Sequence, residues 1–268
     1  MKKAINAWTI PENVSFADMF RDISGAGFDG IELNIDAEQH SAHSLSLQTD
    51  HSTLLQLRQL SQDFQLPICS ISTSLYGGTL GANDAQTRAE GQRILEKQLE
   101  CASTLGADGI LVVPGGISES LSIRQAYENV QTALSALLPV ITRTKIAVGL
   151  ENVWNGFFAS PMDMARFIDA FDCSYIGAYF DVGNVVVASD PEHWIEILGR
   201  RIVKIHVKDF QRASIYRGTF VNLLEGSIRW QRVIPALRAA GYDGYLTAEL
   251  SSMPLAPEHL YHSTCDAL

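Results

Sequence analysis

Residues 26–33 read AGFDGIEL, and the same pattern returns as LGADGILV at 105–112 and as AGYDGYLT at 240–247. Each copy follows a stretch that has helical periodicity. Its first glycine predicts a helix that ends in a left-handed conformation, and the Asp-Gly pair predicts a turn into a short apolar strand. A helix, turn and strand used three times favour a repeated α/β architecture.

Outward from these copies, the chain reads as eight strands separated by helices. The predicted strands are residues 3–8, 30–34, 67–73, 109–113, 147–151, 176–181, 203–207 and 245–249. The predicted helices are residues 15–25, 53–64, 84–105, 122–142, 160–170, 192–198 and 230–240. This alternation favours a single α/β domain over residues 1–268, a (β/α)8 TIM barrel. An open doubly wound sheet is the alternative, although no glycine-rich dinucleotide motif follows the first strand.

Composition limits the functional classes. The chain has 268 residues, of which 46% are apolar and 19% charged, as in a globular protein with a sizeable core. A formal net charge of −10 and the lack of a basic run argue against a nucleic-acid partner. The polar N-terminus resembles no signal peptide, and no apolar run is long enough for a membrane span. Four dispersed cysteines without a CxxC pair favour reduced thiols in a cytoplasmic protein.

The stretch 36–51, rich in Ser, His and Gln, is predicted to be a loop on the face where barrel active sites lie. It contains His40, His43 and His51. Their spacing fits no compact ligand pattern, so we interpret them as exposed loop histidines.

Polar residues interrupt the apolar ends of four consecutive predicted strands. They are Glu151, Asp181, His206 and Glu249. Several charges crowded at a barrel mouth would repel one another and lose solvation, and a divalent cation resolves that conflict. Three carboxylates and one imidazole suit Mn²⁺, Mg²⁺ or Co²⁺, with Zn²⁺ as a further candidate. The sequence therefore predicts one divalent metal ion.

Three segments carry a family resemblance: GLENVWN at 149–155, YFDVGN at 179–184 and KIHVKD at 204–209. They resemble the xylose-isomerase-like TIM-barrel superfamily, and more narrowly its sugar-phosphate isomerase/epimerase branch, which includes L-ribulose-5-phosphate 3-epimerases and ketose 3-epimerases. The segment LLEGSIRW at 223–230 also looks like that branch. The resemblance spans nearly the whole chain, but it does not specify a substrate.

The resemblance implies metal ligands at Glu151, Asp181, His206 and Glu249, with Glu151 and Glu249 as the catalytic pair that transfers protons. The metal would chelate a carbonyl and its neighbouring hydroxyl and stabilise an enediolate. One carboxylate would remove a carbon-bound proton. Return by the other to the opposite face inverts the centre, and return to the neighbouring carbon gives isomerisation.

Two positions depart from ketose 3-epimerases of free sugars. Those enzymes have a histidine three residues after the strand-6 aspartate, where this chain has Asn184, and a second glutamate where it has Gly156-Phe157-Phe158. These differences fit the phosphate-ester branch better. The expected partner is therefore a small ketose or ketose phosphate.

Further residues are candidates for substrate binding. They are Glu32, Trp154, Asn184, Lys208 and Arg217. Glu32 could bind a hydroxyl or form a structural salt bridge. Lys208, Arg212 and Arg217 could hold a phosphate, with a solvated basic loop as the alternative. Trp154 and Phe157 could line the pocket or pack in the core, and Asp209 could orient His206 or Lys208.

Other functions remain as alternatives. A dehydratase of a polyol or keto sugar could use the same metal site, and a sugar-binding barrel could lack catalysis. A DNA repair endonuclease, a distant alternative, needs a histidine-rich multi-zinc site and a basic groove. The oligomeric state is open, with a homodimer as one expectation because barrels of this type often pair through their outer helices.

Overall fold

The computed structural model describes residues 1–38 and 40–268. The strands are β1 (Lys2–Asn6), β2 (Gly30–Ile35), β3 (Ile68–Thr73), β4 (Gly109–Val112), β5 (Ala147–Glu151), β6 (Ile176–Asp181), β7 (Ile202–Val207), β8 (Asp209–Ser214), β9 (Arg217–Val221) and β10 (Tyr245–Ala248). The helices are α1 (Phe16–Gly25), α2 (His51–Asp63), α3 (Ala85–Leu105), α4 (Ile123–Thr144), α5 (Pro161–Asp169), α6 (Val182–Val185), α7 (Pro191–Leu198), α8 (Trp230–Ala239) and α9 (Pro257–Ala267).

Eight parallel strands close into a barrel in the spatial order β1-β10-β7-β6-β5-β4-β3-β2. The (β/α)8 TIM barrel predicted from the sequence is therefore confirmed. Strands β8 and β9 stand apart as an antiparallel hairpin that follows β7. Because all barrel strands run the same way, their carboxyl ends meet at one rim, where barrel active sites are built.

The repeated glycines have the predicted conformation. Gly27, Gly106 and Gly241 have φ angles of +93°, +83° and +84°. Each of these glycines follows a helix. The chain then passes through an Asp-Gly pair into β2, β4 or β10. A residue without Cβ adopts this left-handed region readily, so these glycines end the helices at the place from which the next strand can enter the barrel.

Helices α1 to α6 begin where a capping side chain accepts a hydrogen bond from a free backbone N–H group. The side chain of Ser15 accepts a hydrogen bond from the amide of Asp18 at the start of α1, and Ser160 does the same for Asp163 in α5. Pro161 occupies the first turn of α5, where its missing N–H costs no helical hydrogen bond. Helix α1 then directs Met19 and its apolar neighbours onto the strands, so the core fills the space between helices and barrel.

The structure differs from the sequence prediction at several elements. Strand β1 ends at Asn6, and a short 3-10 helix, Ala7–Thr9, follows it. The hairpin β8–β9 and the helices α6 and α9 were not predicted. Most residues of the hairpin are exposed, so its sequence lacks the alternation of a half-buried strand. Helix α6 has only four residues, which is too short for a periodic pattern.

The predicted loop 36–51 is largely irregular, and its residue 39 lies outside the described residues. His40 is exposed, and His51 is the first residue of α2. The interpretation of His43 as exposed is wrong, because its side chain is buried. Its Nδ1 lies 2.8 Å from the Val14 carbonyl oxygen, and its Nε2 lies 3.1 Å from that of Ala7. His43 thus ties this loop to the chain after β1.

Among the described residues, no helix combines the length and the apolar character required to cross a bilayer. The four cysteines carry free thiols, and three of them are buried.

Candidate metal centre and active site

Four predicted ligands meet at the carboxyl-terminal rim of the barrel. Glu151 ends β5, Asp181 ends β6, His206 lies near the end of β7, and Glu249 directly follows β10. These strands are consecutive neighbours in the barrel. One ligand atom from each residue lies within 4.8 Å of all the others, which is close enough for a single ion. The structure thus brings together all four residues that were selected from the strand ends.

The imidazole of His206 is fully buried and has two distinct sides. Its Nδ1 faces the cluster, 3.6 Å from Glu151 Oε1 and 3.8 Å from Glu249 Oε2. Its Nε2 lies 2.6 Å from Oε1 of Glu32 on the opposite side. An Nε2–H bonded to Glu32 fixes the ring orientation and leaves the lone pair of Nδ1 directed at the cluster.

Glu32 lies inside the barrel, where its carboxylate is completely buried. Ser70 and Tyr179 donate hydrogen bonds to its Oε2, and Asn6 Nδ2 donates to Oε1. Burial alone would raise the pKa of Glu32, but the charge and hydrogen bond of His206 lower it to about 2. Protein groups therefore engage both oxygens. These contacts favour the salt-bridge alternative for Glu32 over the expected substrate role.

The support around Glu32 follows from strand register. Asn6 on β1 pairs with Glu32 on β2, and Glu32 pairs with Ser70 on β3. Residues in register on adjacent parallel strands lie at one level, so three polar side chains meet inside the barrel. Sequence reasoning missed Asn6, Ser70 and Tyr179. Asn6 ends its strand as the metal ligands do, which was a usable signal, whereas a serine and a tyrosine inside apolar strands gave none.

Lys208 lies across the mouth of the cluster. Its ammonium donates a hydrogen bond to Glu249 Oε2 and lies 2.9 Å from Asp181 Oδ2. Burial would lower the pKa of Lys208, but the carboxylates of Asp181 and Glu249 raise it. The ammonium is therefore engaged with two carboxylates rather than directed outward to a phosphate.

The two catalytic candidates have different surroundings. Burial raises the pKa of Glu151 to about 7. For Glu249, burial acts in the same direction, but the charge of Lys208 outweighs it and holds the pKa below its usual value. Glu151 therefore tends to keep its proton and Glu249 tends to lose its own. Two carboxyls with such different pKa values suit proton transfer.

Asp181 is held by residues that follow β5 and β6. Its amide donates to Asn152 Oδ1 at 2.8 Å, and Asn152 Nδ2 donates back to its carbonyl at 2.9 Å. The amide of Asn184 donates to Asp181 Oδ1 at 2.7 Å, as an N-cap of α6. Trp154 Nε1 donates to the Asn184 carbonyl at 2.7 Å, and its ring stacks on Phe220. These loop residues therefore fix the position of Asp181.

A cavity of about 450 Å³ opens beside Lys208 and Glu249, and we name it the catalytic cavity after the catalytic candidate Glu249. The described residues that line it are Trp8, Lys208, Phe220, Val221, Asn222, Glu225, Glu249, Leu250 and Ser251. Trp154 and Asn184 line a different cavity beside α6, and Phe157 is buried among aromatic rings. Arg217 is exposed on β9 and is not part of the lining. Of the five predicted substrate-binding residues, only Lys208 lines this cavity.

Asp209 was expected to orient His206 or Lys208, but its hydrogen bonds go to other residues. Its buried carboxylate accepts hydrogen bonds from the amides of Phe210 at 2.8 Å, Leu224 at 3.2 Å and Ile228 at 3.3 Å. The indole of Trp230 donates to it at 3.0 Å. Asp209 therefore anchors the segment between β9 and α8, which forms one wall of the catalytic cavity.

Arg212 is also committed to protein partners. Its guanidinium donates to the Ser189 carbonyl at 3.0 Å and to Asp190 at 2.8 Å. Arg229 donates to the other oxygen of Asp190 at 2.9 Å. This cluster joins the hairpin to the start of α7 and engages both guanidinium groups with Asp190.

The residues present fit a divalent cation. His206 Nδ1 is buried and, within the described part of the chain, has no hydrogen-bond partner. The carboxylates of Glu32 and Glu249 raise the pKa of His206 against the opposing effect of burial. A cation would compete with that proton for Nδ1. Three oxygen donors and one nitrogen match the preferences of Mn²⁺, Mg²⁺, Co²⁺ and Zn²⁺.

Comparison with known proteins identifies the family of the chain. A family model described as "Xylose isomerase-like TIM barrel" matches residues 20–268. The uncharacterised protein MJ1311 of Methanocaldococcus jannaschii is 26% identical over 182 residues, which are 62% of this chain and 61% of that protein. L-ribulose-5-phosphate 3-epimerase UlaE of Escherichia coli is 22% identical over 230 residues, 84% of this chain and 78% of the relative.

Solved structures share the fold. A D-tagatose 3-epimerase-like protein superposes with a TM-score of 0.81 at 20% identity, over 99% of this chain and 98% of its own. The IOLI protein, solved with a bound zinc atom, gives a TM-score of 0.81 at 15% identity, over 100% of this chain and 96% of its own. At these sequence identities, the structural similarity shows a shared fold and nothing further.

Proposed function

Because the chain belongs to the xylose isomerase-like TIM barrel family, we propose that it is a divalent-metal-dependent epimerase or isomerase of a small, uncharged ketose. The observation that carries the proposal is the meeting of Glu151, Asp181, His206 and Glu249 within 4.8 Å at the barrel rim. Two of these ligands are glutamates with contrasting surroundings. Relatives and structural neighbours that are sugar epimerases support the same reaction class.

The four ligands would hold Mn²⁺, Mg²⁺, Co²⁺ or Zn²⁺. When bound, such an ion supplies Lewis-acid chemistry that polarises a substrate carbonyl and acidifies the neighbouring C–H. Glu151 and Glu249 exchange protons with the substrate carbon: one carboxylate removes a proton and the other returns one. Lys208 stays beside Glu249 and keeps positive charge near the reacting oxygens. Glu32 maintains the orientation of His206 throughout.

Two observations favour an uncharged substrate over a sugar phosphate. First, Lys208 and Arg212 have protein partners. Lys208 is the one Lys or Arg among the described residues that line the catalytic cavity, and Asp181 and Glu249 engage it. Glu225 adds a further negative charge to the wall. An anionic substrate would therefore meet repulsion, and the described lining of the cavity offers no guanidinium to offset it.

Second, the backbone N–H groups that could bind a phosphate already bind a carboxylate of the protein. Loops after the last strands of a TIM barrel frequently bind phosphate through backbone N–H groups. Here the amides of Phe210, Leu224 and Ile228 point at one carboxylate, that of Asp209. The sequence departures had favoured the phosphate branch, and these contacts favour the uncharged alternative.

The test is solvent exchange. Purified protein loaded with Mn²⁺, Mg²⁺ or Co²⁺ is incubated in D₂O with ketoses and ketose phosphates, and deuterium incorporation is followed by NMR. We expect deuterium next to the carbonyl of a free ketose, with an inverted centre or a new aldose and no change in heavy-atom composition. Loss of one water from the substrate would establish the dehydratase instead. Exchange confined to ketose phosphates would refute the uncharged substrate.

A further inference from the structure

A second cavity adjoins the catalytic one. It measures about 600 Å³, against about 450 Å³ for the first, and Trp8 lines both. The loop that follows Glu249 contributes to both walls: Leu250 and Ser251 line the first cavity, and Ser252 and Pro254 line the second. Cavities of about 300–1,000 Å³ accommodate ligands of drug size. The combined space thus exceeds what a monosaccharide needs.

Trp8, between the cavities, is held in a fixed orientation. Its indole Nε1 lies 3.0 Å from Asp36 Oδ1 and 3.3 Å from Oδ2. Asp36 is buried, and Ser44 Oγ donates to its Oδ2 at 2.6 Å. An immobilised indole provides a flat apolar surface without a loss of side-chain freedom on binding. The C–H face of a sugar ring can pack on such a surface.

The second cavity has hydrogen-bonding chemistry and no fixed positive charge. Glu12, Asn13 and Ser41 contribute polar groups to its wall, and its described lining contains no Lys or Arg. Ser252 Oγ is buried there without a hydrogen-bond partner among the described residues. A neutral ligand rich in hydroxyls could hydrogen-bond to Asn13 and Ser41, whereas the carboxylate of Glu12 would repel a phosphate.

We propose that this second cavity is a subsite for a neutral second sugar unit, so that the substrate is a ketose-terminated disaccharide. The inference rests on the proposed function for its reacting half: the ketose lies at Glu249, and the chain of the substrate continues past Trp8. Proton exchange takes place at the ketose, and the glycosidic bond stays intact. The subsite recognises hydroxyl groups and an apolar ring face.

The kinetic test compares isomaltulose, leucrose and lactulose with fructose and tagatose by deuterium exchange. We expect the best disaccharide to exceed the best monosaccharide in kcat/KM by at least about tenfold. Asn13→Trp narrows the second cavity at an exposed position and should remove this preference. Gln131→Trp, at an exposed position of α4, is the matched control and should keep it. A preference for monosaccharides, or one that Asn13→Trp leaves unchanged, would overturn the subsite.

A binding test separates this inference from the proposed function. The disaccharide alcohol isomalt and the monosaccharide alcohol sorbitol have no carbonyl and do not react. By calorimetry we expect isomalt to bind the metal-loaded protein at least about tenfold more tightly than sorbitol, and Asn13→Trp to abolish the difference. If no sugar exchanges deuterium but this difference persists, the proposed reaction fails and the subsite stands. Equal affinities for the two alcohols refute the subsite, whatever the exchange experiment gives.

Discussion

Oε1 of Glu32 lies 2.6 Å from Nε2 of His206, and both side chains are fully buried. The two residues belong to strands β2 and β7, which are separated in the barrel by β1 and β10. The pair therefore links the interior of the barrel to the ligand cluster at its rim. A carboxylate in this position sets which ring nitrogen is free to bind a cation.

Glu32→Gln should weaken Mn²⁺ binding by about 10–100-fold, because a neutral amide holds the His206 ring less firmly than a carboxylate. Isothermal titration calorimetry measures the change, and circular dichroism checks that the fold is retained. Glu225→Gln is the control, since Glu225 lines the catalytic cavity but is not among the four clustered ligands. An Mn²⁺ affinity equal to that of the wild type would refute the role of Glu32.

Glu151→Gln and Glu249→Gln should each reduce solvent exchange of the substrate by at least about 10²–10⁴-fold, because a glutamine cannot carry the transferred proton. The measurement is deuterium incorporation by NMR at saturating metal. Glu128→Gln, at an exposed position of α4, is the matched control. Activity close to that of the wild type in either variant would remove that glutamate from the mechanism.

Asp209→Ala should lower the free energy of unfolding by about 3 kcal/mol, because it leaves several buried N–H donors without an acceptor. Gly226→Ala should act on the same contact, since a Cβ at Gly226 would collide with the Asp209 carboxylate. Urea denaturation measures both. Ser263→Ala, on the exposed side of α9, provides the comparison. Unchanged unfolding midpoints would show that Asp209 is dispensable for the cavity wall.

The cluster around Asp190 should make stability depend on pH. The hydrogen bond from Arg212, with the charge of Arg229 beside it, lowers the pKa of Asp190. A carboxyl with a lower pKa in the folded state stabilises the fold above its unfolded pKa of about 3.9, and this contribution is lost as pH falls through the folded pKa. The stability difference between wild type and Asp190→Asn should therefore shrink between pH 7 and pH 3.

Urea midpoints at each pH measure this difference, with Asp266→Asn on α9 as the comparison for an exposed carboxyl. A difference that stays constant across the range would show that the Asp190 charge does not stabilise the fold through Arg212 and Arg229.

The barrel and its ligand set were predictable because they depend on local signals. The glycines at 27, 106 and 241 mark helix ends by backbone preference alone. Glu151, Asp181 and His206 interrupt apolar strands that the closed barrel then brings to one rim. Parallel topology converts a position along the chain into proximity in space, so a pattern of strand ends was sufficient.

The partners of these residues were not predictable in the same way. The placement of Glu32 depends on the register of β1, β2 and β3, which a single sequence does not specify. The roles of Lys208 and Arg212 depend on which carboxylates their flexible side chains reach after folding. Long-range pairing of charges is decided by tertiary structure, so the expected phosphate contacts could not be tested by sequence alone.

The four clustered ligands occupy the adjacent strands β5, β6, β7 and β10, whereas Trp8, Asn13 and Ser41 belong to the chain that follows β1 and β2. On the proposed function, the reaction would depend on the first half of the rim and substrate choice largely on the second half, although the loop after β10 lines both cavities. Insertions or substitutions in the second half could change the molecule that is accepted without disturbing the first. Such a division would allow duplicated genes to change the sugar that their products accept while the reaction stays the same.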